Sequence, residues 1–230
     1  NTGMSAYRGS TGELVWKRLK LHYEGPCLLH GKTIITQGAA YDLLTGKRRM
    51  FPNPMTGIEI PWTFARNYGC GTAIGSRHLL TFRSASAGYF DLARMGTGNL
   101  GGFRSGCTSN LIPADGVLNA PDYTRTCTCA YPIQSSLGLV HMPEAEAWTF
   151  NRIERSGRQV IRAGVNFGAP GDRLADSGTL WLDFPSVGGP SPDIPVKITP
   201  ESALRTFRKH SLCTVSGGGR ALLWVSASGI

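Results

Sequence analysis

A short phrase is written twice near the start of this chain, and a repeated phrase restricts the fold more tightly than any bulk property does. Ser5-Ala6-Tyr7-Arg8-Gly9-Ser10-Thr11-Gly12-Glu13-Leu14-Val15-Trp16 is followed by Ala40-Tyr41-Asp42-Leu43-Leu44-Thr45-Gly46-Lys47-Arg48-Arg49-Met50. Each copy runs Ala-Tyr, a short interval, Thr-Gly, a charged residue and then an apolar position. The two glycines, Gly12 and Gly46, stand 34 residues apart. A period of that size marks stacked supersecondary units. Locally the phrase reads as strand, turn, strand. Ala-Tyr closes an apolar strand, Asp42 bonds its own backbone two residues on, and Gly46 takes positive φ. Trp16, and Met50 in the second copy, then sit where an apolar side chain packs against a neighbouring unit.

The pattern recurs with drift. In residues 28–41 a turn at Gly31-Lys32 separates two β-rich runs. In residues 73–92, Tyr89-Phe90-Asp91-Leu92 stands where Ala40-Tyr41-Asp42-Leu43 stood, and residues 111–121 turn at Asp115-Gly116, a hairpin dipeptide. Residues 52–61 carry three prolines and a glycine, and residues 96–106 carry five glycines, so both read as loops. The style changes near Met142. The expected organisation is blade-like repeats over 1–142, a linker over 143–157 and a β-rich segment over 158–230. In that last segment residues 185–195 read as irregular, 201–210 hold the chain's one hint of helical periodicity, and 221–226 read as a final strand. The fold class is all-β.

Composition agrees. Of 230 residues, 41% are hydrophobic and only 17% charged, with 30 Gly and 14 Pro, a profile of short strands and tight turns. No apolar run is long enough to span a bilayer. The start at Asn1 reads as a processed chain or a fragment. The net charge of +9 suits a solvated basic surface, or affinity for an acidic polysaccharide, a membrane surface or nucleic acid. The densest positive runs are residues 47–49 and 205–209. No nucleic-acid recognition motif is present, so specific nucleic-acid binding is not expected.

Residues that bear chemistry leave alternatives open. Cys127 and Cys129, two apart on a strand, share one face. With Cys70 and Cys107 they suit two disulfides of an exported protein or a four-thiolate metal site, and sequence does not fix their connectivity. Cys27 and Cys213 read as buried thiols or a third bridge. Asp172, Asp176 and Asp183 gather in one loop-rich stretch. They read as surface acids, as the paired carboxylates of a sugar hydrolase, or as oxygen ligands for calcium. Trp62, Phe64, Tyr68, Tyr123 and Tyr131 fall in loops or at strand ends, where rings stack on sugars or wedge sheets together. The histidines show no ligand spacing. A nucleophile elbow and a phosphate-binding loop are both absent.

The Ala-x-Asp-x-x-Thr-Gly-Lys phrase at residues 40–47 resembles the tryptophan-docking repeat of PQQ-like β-propellers, the group that includes quinoprotein alcohol dehydrogenases. Asn67-Tyr68-Gly69-Cys70-Gly71-Thr72-Ala73, Gly88-Tyr89-Phe90-Asp91-Leu92, Asn99-Leu100-Gly101-Gly102-Phe103-Arg104-Ser105-Gly106-Cys107 and Arg125-Thr126-Cys127-Thr128-Cys129-Ala130-Tyr131-Pro132 resemble the closing blades of large secreted propeller proteins of planctomycete type. Residues 165–184 look like part of a malectin-like or galactose-binding sandwich. The resemblance implies an extracytoplasmic protein whose blades follow others on the N-terminal side. It does not carry over the catalytic branch. That branch commonly has two directly adjacent cysteines, whereas Thr128 separates the pair here, so no PQQ is expected. The expected function is a non-catalytic binding or scaffold module contacting a glycan or a protein. The alternative is a secreted enzyme, either a quinoprotein-like oxidoreductase or a hydrolase of carbohydrate or ester substrates dependent on metal or carboxylates. So few blades do not close a usual ring, and an unpaired edge invites another chain, so an open fan capped by its tail or an oligomer is expected.

Overall fold

The structure is a computed structural model that describes residues 2–21, 23–104, 111–121, 136–142, 145–146, 148–154, 157–186, 191–200 and 215–216. Every regular element among them is a β-strand. The final strand expected at 221–226 and the helical periodicity at 201–210 lie outside these residues. The first hairpin is β1 (Met4–Tyr7) with β2 (Leu14–Arg18). Next come the antiparallel sheet of β3 (Leu28–His30), β4 (Thr33–Ile35) and β5 (Ala40–Asp42), and the hairpin of β6 (Met50–Pro52) with β7 (Glu59–Pro61). β8 (Ile74–Gly75), β9 (Leu79–Ser84), β10 (Ser86–Asp91) and β11 (Gly96–Asn99) form a four-stranded meander. β12 (Ile112–Ala114), β13 (Val117–Ala120) and β14 (Leu137–Val140) form another antiparallel sheet. β15 (Ala145–Glu146) pairs with β19 (Val215–Ser216). Last, β16 (Gly164–Phe167), β17 (Arg173–Leu174) and β18 (Leu180–Phe184) make a mixed sheet in which β16 and β18 run parallel.

One five-residue turn occurs four times among the described residues. Gly12 N donates to Arg8 O, Gly46 N to Asp42 O, Gly57 N to Asn53 O and Met95 N to Asp91 O, all at 2.8 Å. The fifth residue is left-handed each time, with φ of 74°, 61°, 70° and 57°. Three copies begin with a side-chain acceptor. Asp42 Oδ1 takes Leu44 N and Thr45 N, Asn53 Oδ1 takes Met55 N and Thr56 N, and Asp91 Oδ1 takes Ala93 N and Arg94 N. These Asx bonds fix the turn without help from neighbours. The copy at Asn53 corrects the reading of residues 52–61 as a surface loop: Pro52 and Pro61 lie in the two strands of a hairpin and Pro54 in its turn, and the tip residue, Met55, is fully buried. Residues 96–99 are likewise strand β11 rather than loop. A Cβ on Gly98 would stand 2.2 Å from the Tyr89 ring, and one on Gly96 would stand 2.6 Å from Thr149. These glycines admit close neighbours.

Successive sheets lie side by side. Gly25 meets Thr72, Gly75 meets Leu28, and the His30 ring bonds the Arg77 carbonyl at 3.1 Å, each pair 47 residues apart. The constant offset sets β3 and β8 alongside one another in the same direction. Between them Ile35, Ala40, Phe64, Ala73, Leu80, Phe82 and Phe90 close the main core. Each such large apolar side chain contributes about 1.5–3 kcal/mol by leaving water. A second cluster joins Met55 to Ile153, Leu180 and Leu182. Residues 148–151, which the sequence places in a linker, are built into the fold. Phe150 bridges to Thr97, Thr149 bridges to Asp172, and Trp148 and Asn151 are buried.

Candidate functional site

Two strands that belong to different repeats meet at Trp16. Its indole is buried against Gly46, where a Cβ would fall 2.7 Å from the ring, and Nε1 donates to the Leu43 carbonyl at 2.8 Å. Two residues further along, Arg18 Nη2 donates to the Thr45 carbonyl at 3.1 Å. The chain leaving β2 is thereby laid beside the chain leaving the second turn. An open cleft of about 560 Å³ lies between them, lined by residues 18–21, Tyr41 and residues 46–48. Leu21 and Tyr41 form a largely buried floor, while Arg18, Lys20, Lys47 and Arg48 are exposed around it. Among the described residues no acid lines the cleft. The carboxylate that opens the second turn, Asp42, is spent on that turn. The Thr45 hydroxyl, backbone N–H groups and Arg49 hold it below the usual carboxylate range, Arg49 at 3.9 Å. Four cations with no counter-acid among the described lining residues make a field that draws anions and is screened by salt.

The residues singled out in the sequence scatter. Trp62 goes inside, edge-on to Phe90 at 5.5 Å and to Phe64 at 6.0 Å, as a wedge between sheets. Tyr68 is 76% exposed, with the Arg83 guanidinium 5.9 Å from its ring centre. Tyr123 and Tyr131 lie outside the described residues, as do Cys107, Cys127, Cys129 and Cys213. Cys70 is a half-buried free thiol, and Cys27 is a free thiol on the surface.

Asp172, Asp176 and Asp183 do not converge, and among the described residues no three His, Cys, Asp or Glu side chains gather closely enough to hold a metal ion. Asp176 points into solvent and meets Arg94 at 3.3 Å. Asp183 is buried on β18. Asn166 lies opposite it, and Arg173 lies opposite Trp181, two residues before it. Asp172 is fully buried, and its carboxylate accepts four donors besides the backbone bridge to Thr149. Asn151 N lies at 2.7 Å, Asn151 Nδ2 at 2.6 Å, Thr149 Oγ1 at 3.2 Å and Ser191 Oγ at 2.5 Å. Burial raises this carboxyl to about 6 against the pull of those hydrogen bonds. Its place is a structural clasp between residues 149–151, β17 and Ser191.

Sequence reasoning found Lys47 and Arg48 as a dense positive run but missed Arg18, Lys20, Leu21 and Tyr41. The signal was present: each copy of the phrase ends in a basic run, and a docked Trp16 brings the two runs together. No helix among the described residues is long and apolar enough to cross a membrane. No protein-family model, curated protein or solved structure matches this chain.

Proposed function

We propose that the chain is a non-catalytic binding module of an exported protein, built from PQQ-like propeller blades, and that it holds an acidic glycan in the cleft between β2 and the second turn. The observation that carries this reading is the set Arg18, Lys20, Lys47 and Arg48, unopposed by any acid among the described lining residues, around the floor of Leu21 and Tyr41. The blade assignment draws support from the repeated Asx turn, from the docking of Trp16 on Gly46 and from the constant step between β3 and β8. An open, shallow cleft fits a polymer laid across it. Guanidinium forks and ammonium groups suit carboxylates along such a polymer. The acids that a hydrolase would use favour the binding reading. Asp172 is enclosed among four donors and Asp176 faces solvent beside Arg94.

The test is binding of the chain to immobilised polygalacturonate and to neutral dextran. Polygalacturonate is retained and dextran is not, and raising salt weakens retention. Replacing Arg18, Lys20, Lys47 and Arg48 together by Gln lowers affinity at least about tenfold, while Lys32→Gln on an exposed turn leaves it unchanged. Equal retention on both polymers, or no effect of the fourfold replacement, would sink the proposal.

A further inference from the structure

A second recess of about 320 Å³, more enclosed than the cleft, is lined by Gln37 and Gly38 from the turn between β4 and β5, by residues 63–66 after β7, and by Arg152. Its volume is at the lower end of small-molecule sites. Arg66 and Arg152 come from opposite sides of the sequence, and both positions are held by the fold. Arg66 Nη2 is anchored on the Gly71 carbonyl at 3.1 Å. Arg152 sits between Asn151, which is clasped by Asp172, and Ile153, which is in the core. Gln37 reaches its place across Gly25, where a Cβ would come within 2.9 Å of Gln37 Cγ. Among the described residues no acid lines the recess.

Two polar atoms of these lining residues are shielded from solvent and have no hydrogen-bond partner among the described residues: Arg66 Nη1, a donor, and Gln37 Oε1, an acceptor. Shielded polar atoms are normally paired, so each one calls for a partner. Arg66 calls for an acceptor and Gln37 calls for a donor. We propose that this recess binds a small hydroxy-carboxylate, with a hexuronate as the matching size class. The carboxylate answers Arg66 and Arg152, a hydroxyl donates to Gln37 Oε1, and the Thr63 hydroxyl offers a further partner. This site is separate from the basic cleft and stands or falls without it.

The experiment is calorimetric titration of the full chain with glucuronate, galacturonate, glucose and sulfate. One hexuronate saturates a single site. Glucose lacks the carboxylate and sulfate offers acceptors alone, so each binds at least about tenfold more weakly. Arg66→Gln and Arg152→Gln each weaken the hexuronate at least about tenfold, and Lys32→Gln does not. Arg152 is exposed, so its variant keeps the fold even where Arg66→Gln does not. No saturable hexuronate binding, sulfate binding as tightly as the sugar acid, or affinity unchanged by Arg152→Gln overturns the proposal.

Discussion

The Trp16 ring lies on Gly46, the fifth residue of a turn in the next repeat, so closely that a single methyl group there would enter the van der Waals shell of three ring atoms. Two demands coincide at Gly46: a φ of 61° and an absent side chain. Gly12 meets only the first, with a φ of 74° and nothing within 4 Å of its Cβ position. Gly12→Ala therefore costs about 1 kcal/mol from backbone strain alone. Gly46→Ala adds the clash and costs about 2–4 kcal/mol. Urea melts of the two variants measure the gap, and equal losses would contradict the docking.

The glycines of β11 make a matching claim. Gly98→Ala places a Cβ against the Tyr89 ring, a partly buried side chain whose hydroxyl burial pushes up to about 12. We expect about 2–4 kcal/mol of destabilisation, and slow amide exchange across Gly96–Asn99 in the parent protein. Fast exchange throughout that segment would return it to a loop.

How much of this was legible follows from how local each feature is. The Asp42 turn and its echo at Asp91 could be read because Asx bonding is written within a few residues. The Asp115-Gly116 hairpin could be read for the same reason, and both its residues have positive φ. The Asn53 copy was hidden because Pro52, Pro54 and Pro61 signal a loop, although Asn53-Pro54-Met55-Thr56-Gly57 keeps the Thr and Gly of the motif and puts Asn where Asp42 stands. Gly96 and Gly98 misled because composition does not say whether a glycine frees the backbone or admits a neighbour. The basic cleft depends on a contact between residues about 30 apart, which follows only once Trp16 is seated. The seating of residues 148–151 likewise depends on non-local partners, Asp172 for Thr149 and Asn151 and Thr97 for Phe150.

Trp16 seats the basic cleft, so its loss should act on binding as well as on stability. Trp16→Phe keeps much of the apolar contact but removes the indole donor to Leu43 O. It should cost about 1–2 kcal/mol of stability. It should also loosen the alignment of Arg18 with Lys47 and weaken polygalacturonate binding several-fold under conditions where the variant is fully folded. Unchanged affinity would mean that the two basic runs act independently of the docked ring.

Asp172 gives the fold a pH dependence of unusual sign. Its carboxyl titrates at about 6 in the folded chain against an ordinary value of 3.8. The folded state therefore binds a proton more tightly than the unfolded state does. Stability is greatest below about pH 4, where both states are protonated at this group. It falls as pH rises to about 6, and this group adds no further change above that. The difference amounts to roughly 3 kcal/mol at most, at about 1.4 kcal/mol per unit. Asp172→Asn removes the slope. It also turns an amide N–H₂ toward donors on one side of the group, either Asn151 N and Ser191 Oγ or Asn151 Nδ2 and Thr149 Oγ1, so the variant is less stable than the parent at low pH. Melting temperatures of both proteins from about pH 3.5 to about pH 8 decide the matter. A parent curve that rises through this window, or a variant that keeps the parent's fall, would show that Asp172 is not the group that titrates.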